Sequence, residues 1–447
     1  MNRFYLTLLG IVFATGAIRA QEATRLSLKD CMDYAMQHNY TVKNARVDIL
    51  IQKAQNNQTL SASYPHINGK AELDDFLNPQ KTFIEAKSFN PSAPPGMIVG
   101  FPFSLNYSGS ASITGSQLLF DGAVFIAWKA RNSVMELARQ NSEVTEETVR
   151  YNIYKAYNSL VIAYRQYDII KQSLSYARSL EHDVEVTRQH GFAEKIDVER
   201  TSVQVNNLAT DSIRVGNLLT VSEQVLKYQI GLDINKSIIL TDTALEERRQ
   251  NTLALLNEQE QYDRVPVFNL LNTTLKLNEY NLKRYKLGAY PTLNVFGATG
   301  FNYGANKFND IMSVSNYAFN SLVGLQLNMP IFNGYIRNYQ MTEAKLNIEK
   351  SKNNIENIKQ TLDFQVAMSR TSLKNAILQV QSQRRNMELA NDVLDLAQRK
   401  YKAGVGSNLE VTQAQTDQLR AQTNYFSALL DLINAEADLK KALGLMK

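Results

Sequence analysis

Four stretches of the chain alternate apolar and polar residues with a period of two. Two others run for nearly seventy residues with apolar positions three and four apart. In LNYSGSASITGSQLLFDG (residues 105–122) the even positions Asn106, Ser108, Ser110, Ser112, Thr114 and Ser116 are small and polar, while Leu105, Tyr107, Ala111, Ile113 and Leu119 take odd ones. Ile67, Gly69, Ala71 and Leu73 alternate with His66, Asn68, Lys70, Glu72 and Asp74, and Leu293, Val295, Phe301 and Tyr303 oppose Asn294 and Asn302. Val323, Leu325, Leu327, Met329 and Ile331 alternate with Gly324, Gln326 and Asn328. Successive strand side chains point to opposite faces, so each stretch predicts a strand with one apolar and one polar face.

Residues 123–190 and 335–403 contain neither Gly nor Pro. As helices they would run roughly 100 Å at about 1.5 Å per residue. Ile153, Tyr157, Leu160, Tyr164 and Tyr167 alternate steps of four and three, and Val366, Leu373, Ile377 and Val380 follow the same scheme. This is the period of supercoiled helices, and it predicts packing rather than a ligand site. Each long segment ends at a glycine turn, Gly191 or Gly404, before a return segment, 192–230 or 405–443. Helical stretches near 27–63 and 267–287 are available to cover the remaining length. Asn78–Pro102, with five prolines, and Gly304–Asn320 read as exposed loops.

The chain is written twice. SYPHINGKAEL (63–73) is echoed by AYPTLNVFGATG (289–300), QLLFDG (117–122) by MPIFNG (329–334), RQHGFAEKIDV (188–198) by YKAGVGSNLEV (401–411), and YQIGL (228–232) by KALGL (441–445). Four landmarks in one order, offset by 212 or 213 residues over the last three, indicate a tandem duplication. The resulting division is a leader at 1–20, a first repeat over 21–231, a connecting segment over 232–265 and a second repeat over 266–447.

The leader carries Arg3, an apolar run from Phe4 to about Ala17 and a cleavage position after Ala20, the pattern of a secretory signal peptide. Cys31 is the sole cysteine, so it has no intramolecular disulfide partner and reads as a small helix-face residue. The net charge of +5 falls to +3 without Arg3 and Arg19, and the charges are interspersed, which gives no nucleic-acid footprint. His38, His66, His182 and His190 lack metal-ligand spacing, and AGVGS (403–407) lacks the phosphate-loop pattern, so neither catalysis, a metal nor a cofactor is expected.

No later segment reaches the ~18 continuous apolar residues of a membrane helix, so entry into a membrane would have to be as β-structure. Export, strands of about 9 to 11 residues and a face with no apolar partner favour lipid outside and water inside. Four strands cannot close a channel, since the smallest such barrels use eight, so several chains would share one barrel.

With leader, duplication, paired strands and paired helices in order, the chain from about Leu26 to Leu445 resembles the TolC family of outer-membrane efflux and secretion channels. LSLKDCMDYAMQHNYTVKNARVDI (26–49), the two YP openings, LFDG, IFNG, YKAGVGSNLEVTQAQ (401–415) and KALG carry the resemblance. It implies a mainly α fold with membrane β: long antiparallel coiled-coil helices and four transmembrane strands per chain. A homotrimer would form a twelve-stranded barrel and an α-helical periplasmic tunnel. The implied partners are a periplasmic adaptor, an inner-membrane RND or ABC transporter, and outer-membrane lipid.

The resemblance also implies a periplasmic gate. Asp197, six positions after Gly191, would pair with Tyr401, three before Gly404. Glu410 would stand in an acidic ring whose second position falls on Gln413, and a basic closing contact would fall on Gly406. The exposed tips, Gly191 and Phe192 with Gly404, Val405, Gly406 and Ser407, would meet the adaptor. On residue type alone, Asp197 also fits a helix cap, Tyr401 a packing position and Glu410 a solvated helix face. Drug efflux is the main functional expectation; protein secretion of type I and an exported coiled-coil structural protein are the alternatives.

Overall fold

The computed structural model describes residues 24–102, 105–241, 249–312 and 317–446, so the leader lies outside the described residues. In chain order the helices are α1 (Leu28–His38), α2 (Tyr40–Ser61), α3 (Gly122–Gln189), α4 (Lys195–Ile230), α5 (Arg249–Leu255), α6 (Pro266–Leu287), α7 (Ile336–Lys402) and α8 (Asn408–Ala442). The strands are β1 (Thr24–Leu26), β2 (His66–Asp75), β3 (Lys81–Glu85), β4 (Ile98–Pro102), β5 (Tyr107–Phe120), β6 (Ile238–Leu240), β7 (Thr292–Ala305) and β8 (Tyr317–Asn328). Both halves thus give a helix, two strands, a long helix and a return helix. Two compact units cut across the halves: one holds residues up to 47, 140–269 and 357 onward, the other 48–139 and 270–356.

In the second unit, β2-β5-β7-β8 form one antiparallel sheet in that order. Its register pairs Ala71 with Ala111, Ala111 with Phe301 and Phe301 with Phe319, so odd-numbered residues of all four strands share a face. That face carries Ile67, Leu73, Ile113, Val295, Val323 and Leu325; the other carries Asn68, Ser110, Ser112, Asn302 and Gln326. The outer strands β2 and β8 each present one unpaired edge within this sheet.

Three boundaries depart from expectation. β8 starts at Tyr317 and stops at Asn328, so Met329 and Ile331 fall outside it; Pro330 has no N–H to give to a ladder. Residues 78–102 are not a plain loop, because β3 and β4 pair antiparallel within them. The stretch 27–63 is two helices broken at Asn39, whose backbone is extended at φ −63° and ψ 127°. The Asn39 side chain accepts from the N–H groups of Thr41 (2.8 Å) and Val42 (3.2 Å), capping α2, and donates to the Gln229 carbonyl at 2.7 Å.

The first unit is built on the long helices. Ile153, Tyr157 and Leu160 of the aromatic stripe are fully buried, as is Leu373 on α7, which places the 3.5-residue period on the packed faces. Ile153, Tyr157 and Leu160 cluster with Val42, Leu226 and Ile230; Val366 and Leu373 cluster with Leu429, Leu432 and Leu439 of α8. Parallel pairing of β1 with β6 ties the start of the described chain to the connecting segment. Tyr154 (3.1 Å) and Thr252 (3.2 Å) donate to the buried Glu436 carboxylate, which Lys440 neutralises at 2.6 Å.

Cys31 is wholly buried beside these helices, and burial pushes its thiol up to about 12. Since the thiolate is the reactive form, native protein near neutral pH should resist iodoacetamide while unfolded chain is labelled. Equal labelling rates in the two states would contradict this packing.

Candidate functional site: the paired helix tips

Both long helices of the first unit end in the same hydrogen-bonded turn. Phe192 N–H reaches back to Thr187 O (3.0 Å) and Gly191 N–H to Arg188 O (2.9 Å); Val405 N–H reaches Lys400 O (3.0 Å) and Gly404 N–H reaches Tyr401 O (3.0 Å). This is the Schellman arrangement, which needs a left-handed residue at the fifth position. Gly191 and Gly404 occupy it at φ +80° and +76°. The residues that follow, Phe192 and Val405, are 85% and 79% exposed, so each tip projects an apolar side chain into solvent.

Behind the tips, Leu180, Val184, Leu394, Ala397, Val411 and Ala414 form a small core against which Ala193, Val198 and Tyr401 pack. Asn408 fastens the return helices together, donating to the Asp197 carbonyl at 3.3 Å. The sequence reading missed Asn408; its only signal was its place just after the second glycine turn.

Asp197 stands in the first turn of α4, where its carboxylate accepts from the Glu194 N–H at 3.3 Å in a capping box and lies 3.9 Å from Arg200. Tyr401 is half-buried, and burial first, then the charges of Asp183 and Asp197, raise its hydroxyl above the ordinary 10.0. The structure therefore brings Asp197 and Tyr401 into electrostatic range within one chain. Asp197's capping and ion-pair contacts are nonetheless with its own helix.

Ser407 caps α8, its hydroxyl accepting from the Glu410 N–H at 3.2 Å, and the Glu410 carboxylate is exposed in that first turn. Glu410, Gln413, Lys400 and Asp417 line one open groove of about 500 Å³. Gln413 donates to Asp417 at 3.1 Å. Asp417 therefore puts a carboxylate seven residues beyond Glu410 on the same helix face, one turn past the uncharged Gln413. Heptad spacing from Glu410 was the overlooked signal. Gly406 has no room for a side chain, since a Cβ would lie 2.9 Å from both Lys400 Cβ and Tyr401 N.

This arrangement offers apolar tips, capped turns and a carboxylate-lined groove. Among the described residues no His, Cys, Asp and Glu cluster could hold a metal ion. Paired long helices with glycine tips, each pair joined to two strands of an amphipathic sheet, define a class of exported membrane-channel proteins. The profile of the outer membrane efflux protein family matches residues 280–445. Outer membrane protein TolC of Salmonella enteritidis is 21% identical over 349 residues, 75% of this chain and 69% of that protein. The toluene efflux pump outer membrane protein TtgC of Pseudomonas putida is 31% identical over 123 residues, 27% of this chain and 25% of that protein. Among solved structures, the Campylobacter jejuni CmeC outer membrane channel superposes with a TM-score of 0.71 at 18% identity, covering 93% of this chain and 85% of CmeC. The chain is an outer-membrane protein of the TolC family. Its relatives are channel proteins rather than enzymes.

Two measurements probe the tips. Gly404→Ala should destabilise the tip by about 1–2 kcal/mol, the cost of a Cβ in left-handed backbone, seen as faster amide exchange around Val405. Tyr401 favours its protonated form in the folded state, so its contribution is intact below pH 10 and lost as pH rises through its raised folded value. Wild-type stability should therefore fall more steeply in that alkaline range than that of Tyr401→Phe. Parallel curves would contradict the burial of Tyr401.

Proposed function

We propose that the chain is the exit duct of a tripartite efflux pump, with three copies sharing one twelve-stranded barrel in the outer membrane and one helical tunnel in the periplasm. The observation that carries this reading is the four-stranded sheet with one apolar face and two free edges. In hydrocarbon each unpaired N–H or C=O costs several kcal/mol, so β2 of one copy must pair with β8 of the next until the barrel closes. Three copies give twelve strands, the count that the TolC resemblance implies.

The polar face, with its serines and asparagines, then lines a water-filled lumen. Lipid covers the odd-numbered face. An inner-membrane transporter, of RND or ABC type, delivers small molecules such as drugs and toxic compounds through a periplasmic adaptor. The adaptor docks on the tips at Gly191, Phe192, Gly404, Val405, Gly406 and Ser407, where two exposed apolar side chains support such a contact. Asp197, Tyr401, Glu410 and Gln413 belong to the periplasmic gate. Converging Glu410 carboxylates would repel one another and favour cations in the constriction.

The test is the protein-only molar mass in detergent, measured by light scattering during size-exclusion chromatography. Three times the mass of the chain is expected. A monomer soluble without detergent would overturn the reading.

A further inference from the structure

We propose that the junction between β5 and α3 is a phospholipid-binding surface that fixes the depth of the protein in the membrane, with Trp128 among the headgroups of the inner leaflet. The inference rests on the reading of the sheet as membrane-spanning. It goes beyond that reading by assigning lipid contact to helical residues beyond the strands.

The junction starts with a bulge. Register along β5 shifts between Leu118 and Phe120, so Phe120 pairs with Leu293, and Leu293 in turn pairs with Leu327. The extra residue turns Phe120 onto the apolar face that it would otherwise leave. Its ring lies 5.7 Å from that of Phe125 in the first turn of α3. Trp128 follows one turn later and, with Tyr64, Phe120, Val124 and Phe125, lines an open cleft of about 330 Å³. Phe125 and Trp128 are 51% and 56% exposed. The apolar surface of the sheet thus continues without a break onto a helix.

The order of residue types along this line suits one partner. Apolar Phe120 and Phe125 are followed by the amphipathic rings of Tyr64 and Trp128, and then by exposed Lys129 and Arg131. Acyl chains, ester region and phosphate follow in the same order across a leaflet, where Trp and Tyr prefer the interface and basic side chains reach the phosphates. The spacing also fits. From the Leu293 rung to the Tyr303 rung is ten residues, about 25 Å of membrane thickness at ~3.3 Å per residue and ~40° tilt, which matches the apolar band of such barrels. At the far rung Tyr303 and Phe301 pack against Tyr317 at 5.4 and 5.3 Å, forming an aromatic girdle there.

The second half repeats the device by different means. Tyr335, just after β8, has φ +64°, the only non-glycine residue with positive φ among the described residues. This backbone holds its ring edge-on to Phe332 at 5.4 Å, with both side chains largely exposed. A conformation that side chains rarely adopt is kept here for rings that nothing in the chain buries, so their compensating contact lies outside it. A second copy is the competing occupant near β8, an edge strand. It is disfavoured at Trp128, because β5 is an inner strand flanked by β2 and β7.

Trp128 is the sole tryptophan of the chain, so its fluorescence reports on this position alone. The full chain is reconstituted into phosphatidylcholine vesicles brominated either high on the acyl chains or near their ends. Emission should fall most with the high bromines and less with the deep ones, and in the double variant W128F/F125W the deep bromines should gain in effect. Trp128 emission unaffected by either lipid, in vesicles that conduct ions, would overturn the inference while leaving the channel intact. Blue-shifted emission insensitive to bromine and to acrylamide would assign the surface to a second copy and likewise overturn it. Protein that neither conducts nor floats with the vesicles would overturn the membrane reading itself.

Discussion

A backbone amide in hydrocarbon has no water to turn to, and this constraint organises the sheet-bearing half of the molecule. β5 and β7 have partners on both sides, whereas β2 and β8 each have one. The apolar face cannot be withdrawn from lipid without exposing it to water, and the edges cannot enter lipid unpaired. Assembly is therefore a requirement of the strand count. Soluble sheets with the same edges manage them by charge, bulges or covering loops. Here the one bulge mapped in the sheet sits at the end of β5, where it re-aims Phe120 rather than protecting an edge.

The helical half answers to a different constraint, which is that long helices need continuous partners. The buried Ile153, Tyr157 and Leu160 on α3 and Leu373 on α7 supply seams, and each return helix ends in the same capped turn. Leu232 N–H to Lys227 O (2.9 Å) with Gly231 N–H to Tyr228 O (3.1 Å) is repeated as Leu445 to Lys440 (2.8 Å) with Gly444 to Lys441 (3.0 Å). The Glu223–Lys227 and Glu436–Lys440 pairs, 2.7 and 2.6 Å, recur one turn earlier. The duplication thus persists down to single hydrogen bonds, even where residue identity has drifted.

Tip geometry separates roles that residue type leaves merged. Asp197 is a helix-capping residue as well as a neighbour of Tyr401, and Tyr401 both packs the tip core and feels two carboxylates. A substitution at either position would alter the fold of the tip together with any gating contact. Glu410 is different, because its side chain is exposed and its cap contact is made by its backbone N–H. It is the cleaner position at which to separate charge from structure.

Periodicity alone determined the element types, because a strand repeats every two residues and a supercoiled helix every 3.5, and neither needs a partner to be recognised. The glycine turns were equally legible, since few other residues tolerate left-handed backbone. Tertiary structure decided what depends on pairing: the start of β8 at Tyr317, the β3–β4 hairpin within a proline-rich stretch, and the bulge that carries Phe120 to the lipid face. It also decided which carboxylates share a groove, placing Asp417 with Glu410 and Gln413. Register and side-chain proximity arise from contacts between segments distant in the chain, and no local pattern encodes them.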